Sequence, residues 1–404
     1  MMLKLAWRNL WRNKKRSGII WAAMVVGLWS GLFASGIMLG MSDSMVRNAI
    51  DRDLGHVQFH LPSFTEDELL TQTIPDAQNV LEKLQSKKEV ASVTDRILID
   101  AIAASSKTSG VVKLTGLDEI REKEVSTLDR HLIDGNWLGD DLKSPAIVGK
   151  KLAEKLGLKL KSKLILSFQG FDGSVVYANF KVAGIIQTQS SAFDETHVWV
   201  SGNDLRKLTD RDDFTHEIVV KLNTSEQTDS LEKAWSVEFS NLKVQSWKTL
   251  VPELKLTADL SAMMMSIFMG IILFALLFGV TNTMLMSVLE RYREFGILMA
   301  VGMKPARLFQ LILIETLILA LSAGVFGTAF GLLTVHWFGI HGINLALFAD
   351  GLASFGISSK LYTTIPPDMV WILALMIIST AIISAIYPGW KATRLKPVEA
   401  IRSL

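Results

Sequence analysis

Few residues in this chain of 404 have the types and spacing that bond-making chemistry needs. The seven histidines are scattered. His56 and His60 stand four apart, which on a strand places them on one face without completing a metal-ligand set. The absence of cysteine excludes disulfides, thiolate nucleophiles and cysteine-based metal sites. Gly149-Lys150 lacks the G-x-x-x-x-G-K-[ST] context of a phosphate loop. No nucleophile–base or paired-carboxylate motif stands out, so neither a catalytic residue nor a metal ligand is assigned. The informative residues are charges in costly places. Glu290-Arg-Tyr-Arg-Glu-Phe-Gly-Ile-Leu-Met-Ala-Val-Gly-Met303 is wedged between two long apolar runs. Glu315 lies about two turns into the second of these, where a carboxylate is expensive unless paired, protonated or facing a polar interior. Their chemistry is ion pairing. Glu315 is a candidate to contact Arg291, Arg293 or a partner subunit and to remake that contact in a working cycle; the alternative is a water-exposed side chain near the membrane interface.

The elements that position these charges are membrane spans. Half the chain (49%) is hydrophobic, its mean hydropathy is +0.31, and 42 basic residues nearly balance 40 acidic ones. A net charge of +2 gives no reason to expect nucleic acid. Ile19–Met41, Leu260–Leu289, Leu308 to about Phe338 and Met369–Tyr387 each exceed or approach the ~20 apolar residues that cross a hydrocarbon core. The first run is too long for a signal-peptide h-region and is read as a retained span. Lysine and arginine crowd the N-terminus, the segment between the second and third spans, and the tail, whereas residues 339–368 offer Lys360 alone. The positive-inside rule then puts both termini and the central segment in the cytoplasm. This divides the chain into an interfacial helix (1–18), spans at 19–41, 260–289, 308–338 and 369–388, an outer domain (42–259), a coupling segment (290–307), an outer loop (339–368) and a cytoplasmic tail (389–404).

At the N-terminus Leu3, Trp7, Leu10 and Trp11 recur at helical spacing, with Lys4, Arg8, Arg12 and Lys15 around the other side. That pattern predicts an amphipathic helix in the headgroup layer, either a plain anchor or a lever joined to the first span; Trp7, Arg8, Trp11 and Arg12 are its surface residues. The outer domain reads as mixed α/β. Strands are predicted over His56–His60, Arg96–Ala103, Val111–Leu117, Lys163–Phe168, Val175–Ile186, His197–Val200 and His216–Leu222. Helices are predicted over Asp76–Gln85, Gly149–Leu156, Gly202–Leu208 and Ser225–Phe239. Two lobes are expected, the distal one over about 118–210. Gln169-Gly-Phe-Asp-Gly173 reads as a hairpin turn whose Phe171 either packs on the turn or meets a partner. The first and second spans overshoot the bilayer core and predict a stalk, with Thr249–Lys255 and its Pro252 as a kinked connector. Gly324, Gly327 and Gly331 let helices approach closely, within one subunit or across a dimer.

Three segments in order resemble the FtsX/MacB-like ABC transporter permeases: Leu5-Ala-Trp-Arg-Asn-Leu-Trp-Arg-Asn-Lys-Lys-Arg-Ser17, Glu290–Gly302, and Tyr387-Pro-Gly-Trp-Lys-Ala-Thr-Arg-Leu-Lys-Pro-Val-Glu-Ala-Ile-Arg402. With one span, a large outer domain and three more spans, the resemblance covers the whole chain. It implies a non-catalytic permease subunit of the inner membrane that pairs with a second permease subunit, identical or not, and with a cytoplasmic ABC ATPase. The chain itself would hold no cofactor; ATP and magnesium belong to the ATPase. Glu290, Arg291, Arg293, Glu294, Phe295, Gly296 and Gly302 form the coupling segment in that reading, with Glu294, Phe295 and Gly296 in the ATPase groove. The outer lobes would correspond to the family's porter-like and distal lobes. The format most resembles the lipoprotein-releasing transmembrane subunits, which implies a lipoprotein substrate and a periplasmic carrier, although no segment here matches their carrier-binding hairpin. The alternatives are efflux of another amphiphile and regulation of a periplasmic hydrolase without transport.

Overall fold

A computed structural model describes residues 2–12, 14–139, 142–212 and 214–394, apart from the side chains of residues 2, 10, 11, 16, 350 and 368. It divides into a helical unit (Met1–Ser42, Ala258–Ile343 and Leu361–Leu404) and an α/β unit (Asp43–Thr257 and Asn344–Lys360).

Among the described residues, four helices are long and apolar enough to cross a membrane. The first runs from Lys14 to Ala49, the second from Pro252 to Glu290, the third from Pro305 to His341 and the fourth from Pro367 to Thr393. At 1.5 Å per residue the first two reach about 55 Å, well beyond a ~30 Å hydrocarbon core. Pro252 does not kink a connector as the sequence reading expects. It opens the second helix, where its fixed φ fits and its missing N–H is not needed. The third helix is the hub of the helical unit, with Leu319, Ala320 and Ala323 packing on Met24, Val25, Val280 and Met284. Its glycines act within the subunit: a Cβ at Gly327 would lie 2.9 Å from Leu28 Cβ, one at Gly331 2.7 Å from a Leu32 methyl, and one at Gly324 3.1 Å from Ile377. Close backbone approach is what small residues supply in a span.

The α/β unit is built on one ten-stranded sheet. Its strands are β1 (Val57–His60), β2 (Val90–Ala104), β3 (Ser109–Leu117), β4 (Leu132–Gly135), β5 (Pro145–Gly149), β6 (Lys163–Gln169), β7 (Val175–Ile186), β8 (His197–Ser201), β9 (Glu217–Leu222) and β10 (Lys243–Ser246). The order is β10-β1-β9-β2-β3-β8-β5-β7-β4, with β6 pairing β2 and β7. Among the described residues two larger apolar cores stand beside a smaller one around Leu128, Ile147, Phe193 and Trp199. Of the larger two, one gathers Phe59, Leu81, Leu84, Ile218, Val220 and Trp235; the other gathers Leu114, Val148, Leu166, Phe180, Val200 and Phe214. The cores share β2, whose first half pairs antiparallel with β9 and whose second half pairs with β3. The expected division near residues 118 and 210 thus crosses a continuous sheet, because β3 also pairs in parallel with β8.

The helix that begins at Lys14 ends in a π-helical turn, Ile50–Leu54, whose terminal carbonyls are taken by other elements. Arg96 Nη1 donates to Asp53 O (2.6 Å), Thr127 N to Asp51 O (2.7 Å) and Gln58 Nε2 to Leu54 O (2.9 Å). Arg96 is itself buried between Glu122 (2.7 and 3.0 Å) and Glu217 (3.0 Å), and His60 Nε2 lies 3.1 Å from Glu217. Burial opposes the Arg96 charge, but the carboxylates of Glu122 and Glu217 more than reverse this and raise its pKa.

Candidate functional site

The charges that the sequence singles out converge at the end of the helical unit that carries Asn9 and Arg12. Tyr292–Ala300 forms a short helix between the second and third spans. Its end is a Schellman motif: Gly302 takes φ +99°, Gly302 N donates to Met299 O and Met303 N to Leu298 O. Glycine supplies the positive φ without a steric cost, and Pro305 then starts the third helix in its first turn. This compact reversal holds the short helix against the bundle.

Glu315 is 4% exposed and paired. Arg291 Nη1 donates to both of its oxygens at 3.1 Å, and Asn9 Nδ2 donates to Oε1 at 2.6 Å. Arg291 also lies 3.4 Å from Glu294 through Nε, and Arg12 Nη2 meets Glu294 at 2.6 Å. The result is a chain of contacts, Asn9–Glu315–Arg291–Glu294–Arg12, that links the N-terminal helix (Met2–Arg12), the short helix and the third span. Partial burial disfavours charge on Glu294, but the hydrogen bond and charge of Arg12, with Arg291, hold its carboxyl below the ordinary value. A cavity of about 200 Å³ lined by Asn9, Arg12, Arg291 and Glu315 adjoins this network.

The apolar half of the site corrects one sequence expectation. Phe295 does not stand out toward a partner groove. It is 1% exposed and packs with Val288, Leu308, Ile312 and Ala392, while the Arg291 guanidinium lies 4.7 Å from its ring centre. Gly296 is buried beside it. The solvent face of the short helix and its turn is instead Arg293, Glu294, Ile297, Val301 and Gly302, with Ile297 and Val301 47% and 83% exposed. Glu290 is exposed at the end of the second span. Sequence reasoning missed Asn9, Ile297 and Val301. The i, i+4 spacing of Arg293, Ile297 and Val301 was the available signal for the last two; Asn9 carried none, because its partner lies 306 residues away.

The other predicted residues are placed as follows. Trp7 and Arg8 are exposed on the N-terminal helix, whose Ala6 is fully buried. The Trp11 side chain lies outside the described residues, as do residues 395–404 of the tail segment. Phe171 packs edge-on against Phe214 (5.2 Å between ring centres) beneath the Arg211 guanidinium (4.9 Å), so its ring belongs to the turn.

Residues 17–236 match the MacB-like periplasmic core domain and residues 266–397 the FtsX-like permease C-terminal domain. The chain belongs to the FtsX/MacB-like ABC transporter permease family. Among its relatives, lipoprotein-releasing system transmembrane protein LolC of Neisseria meningitidis is 22% identical over 97% of this chain and 96% of that protein. LolE of Haemophilus influenzae is 19% identical over 99% and 98%. The macrolide export ATP-binding/permease protein MacB of Brucella melitensis is 26% identical over 99% of this chain but only 60% of its own length. Among solved structures, the extracellular domain of the ABC-type transporter YknZ from Gram-positive bacteria aligns with 47% of this chain and 99% of its own, at 19% identity and a TM-score of 0.33. In this FtsX/MacB-like permease the α/β domain lies between the first and second spans, and the ion-pair network lies within the FtsX-like half and the N-terminal helix.

Proposed function

We propose that this chain is a non-catalytic permease subunit of the inner membrane that receives ATP-driven motion from a separate cytoplasmic ABC ATPase and uses its periplasmic domain to extract lipoproteins. The observation that carries the reading is similarity to the lipoprotein-releasing subunits over 97% of this chain and 96% of the Neisseria protein, joined to a coupling network that ties the short helix to two other elements. The excess of lysine and arginine at the N-terminus, the coupling segment and the tail supports cytoplasmic placement of all three. Arg293, Ile297 and Val301 offer the ATPase a charged and apolar face. ATP and magnesium act on the ATPase, and a second permease subunit completes the transporter. Efflux of another amphiphile is the second reading, favoured by the 26% identity to the Brucella protein, whose extra length lies outside the match.

The test is copurification from membranes in mild detergent with mass spectrometry of the bound proteins. An ATPase together with acylated lipoproteins is the expected result. An ATPase with a periplasmic adaptor or hydrolase would replace lipoprotein release by efflux or regulation. No ATPase under any mild condition, for wild type and for Ile297→Asp alike, overturns the permease mechanism itself.

A further inference from the structure

Between the N-terminal helix and the first and third spans lies a groove that the coupling network does not use. Its volume is about 380 Å³, within the ~300–1,000 Å³ that small-molecule pockets occupy. The first span contributes Lys14, Ser17, Gly18 and Trp21, which share one face at i, i+3, i+4 and i+7. The third contributes Ile318, Leu319, Ser322 and Phe326. The two spans run side by side in one direction: Asn9 meets Glu315, Trp21 meets Phe326, and Gly331 faces Leu32. The sequence keeps the groove open. A Cβ at Gly18 would find nothing within 4 Å, and Ser17 and Ser322 are small. Trp21 and Phe326 meet edge-on, 5.3 Å between ring centres, and close the inner end.

The chemistry changes along the groove. Lys14 precedes the apolar run Ile19–Met41, which sets its ammonium at headgroup level, and the Ser17 hydroxyl follows one turn on. Trp21 lies inside that run, about 10 Å farther along the helix. One end therefore offers donors to an anion, and the rest offers contact to hydrocarbon. The charge around that end has one sign. Residues 1–18 carry six basic side chains and no acidic one, and the first acid in the chain is Asp43. Glu315 and Glu294, on the same side of the bundle, are already paired with Arg291 and Arg12. A helix from another chain would fill the apolar part but set a hydrocarbon face against Lys14. A molecule with a phosphate at one end and an acyl chain behind it satisfies both parts.

We infer that this groove binds one anionic phospholipid, its phosphate at Lys14 and Ser17 and one acyl chain along Gly18 and Leu319 toward Trp21 and Phe326. Basic pockets between spans hold anionic headgroups. The Lys14 ammonium has three donors, so it can meet a phosphate oxygen alongside another contact. Ser17 and Leu319 also border the cavity beside Asn9, Arg12, Arg291 and Glu315. The lipid thus lies directly behind the coupling network and braces the N-terminal helix on the third span. The inference rests on the membrane placement of these helices, which belongs to the function proposed above, and not on the ATPase, a carrier or a lipoprotein.

The full chain, purified in mild detergent and stripped of lipid, is titrated with phosphatidylglycerol or with zwitterionic phosphatidylethanolamine, and native mass spectrometry counts the lipids bound. The first phosphatidylglycerol should bind about fivefold tighter than the first phosphatidylethanolamine, the ratio given by ~1 kcal/mol for one lysine at an anionic headgroup. Lys14 is exposed, so Lys14→Gln should leave folding unchanged and abolish that preference. Gly18→Leu puts a side chain into the groove and should weaken the first site about tenfold, the equivalent of two methylene groups kept from apolar contact. Gly279→Leu, the same change at an open position of the second span, should not weaken it. Thermal melts on the same preparations show that each variant is folded. Equal affinity for the two lipids in wild type, including binding of neither, overturns the inference. So does a Gly18→Leu variant that binds like Gly279→Leu, or a polypeptide retained in place of lipid. ATPase copurification is read separately, so loss of the lipid site leaves the transport reading standing, and the reverse.

Discussion

Replacing Arg291 by methionine removes both N–H donors from a carboxylate that is 4% exposed and lies two turns inside a span. Breaking one side of a buried pair costs about 3–5 kcal/mol, because the remaining charge is left uncompensated. Two features move the value toward the lower end: Asn9 still donates to Glu315, and the adjoining cavity can admit water. The lost guanidinium–ring contact with Phe295 adds back about 1 kcal/mol. Arg291→Met should therefore cost roughly 4 kcal/mol. Glu315→Leu should cost less, about 2 kcal/mol, because Arg291 is partly exposed and keeps Glu294 within reach. The double variant replaces a pair by two apolar side chains, a change often close to neutral, and should cost about 2 kcal/mol rather than the sum of about 6. The assay is reversible unfolding of the full chain in mild detergent, followed by tryptophan fluorescence, for all four members of the cycle. Additivity within about 0.5 kcal/mol would refute the reasoning, since it would mean that the two residues do not depend on each other.

Ile297→Asp and Val301→Asp alter exposed side chains and should change stability by no more than about 0.5 kcal/mol, yet abolish ATPase copurification; Phe295→Ala should cost about 3–5 kcal/mol because it empties a packed site. Thermal melts and pull-downs on the same preparations separate the two effects. Gly40→Ala gains about 1 kcal/mol of helix propensity but drives a methyl into the Tyr362 carbonyl oxygen, so the net effect in a melt should be destabilising by about 1–2 kcal/mol. Gly279→Ala in the second span, with open space around the position, should show neutrality or the propensity gain alone. In the α/β domain, burial opposes the charge of Glu217, but the His60 hydrogen bond and the Arg96 guanidinium hold its pKa below the ordinary 4.5. A depressed carboxyl contributes stability that is complete above pH 4.5 and lost as pH falls through its folded-state value. Glu217→Gln should thus melt lower than wild type at pH 7, with the gap closing below pH 4.5; a constant gap across that range would contradict the assignment.

The spans were legible because lipid imposes length and apolarity on contiguous residues, a signal that needs no tertiary context. Strands β6 and β7 were legible for a related reason: each buries one face and alternates along its length. The first half of β2 was not. Its residues from Ser92 to Ile97 are all buried, and four of them (Thr94, Asp95, Arg96 and Ser92) are polar, so neither alternation nor an apolar run marks the strand. β10, four residues with only Val244 as an apolar member, gave too short a pattern to read. The site was half legible. Charge beside an apolar run marked Glu315 as a candidate to pair without choosing between Arg291, Arg293 and a partner, whereas the direction in which Phe295 points depends on how the helix between Arg291 and Gly302 rotates against the third span. The family resemblance put Phe295 with Glu294 and Gly296 in the ATPase groove, whereas packing against Leu308 and Ala392 buries its ring.

The contacts of the short helix differ in strength in a way that suits a transmitting element. Arg12–Glu294 joins side chains that are each about half exposed, and a pair of that kind contributes about 0–1 kcal/mol, so it can break and reform at little cost. Phe295 and the Arg291–Glu315 pair are buried, and their loss costs several times as much. If an ATPase pushes on Arg293, Ile297 and Val301, the weak contact yields first while the buried ones stay closed, so the displacement passes to the third span as a rigid-body movement. The N-terminal helix, which packs on the third span around the buried Ala6, then follows through that packing and through the hydrogen bond from Asn9 to Glu315. Asn9→Ala should leave ATPase binding intact and stability within about 1 kcal/mol of wild type, while reducing the movement of the N-terminal helix that accompanies ATP hydrolysis. That movement can be followed by the distance between single labels at Lys4→Cys and Lys304→Cys in the cysteine-free chain; an unchanged ATP-dependent distance in Asn9→Ala would mean that the helix is driven through its packing, through Arg12 or through the lipid instead.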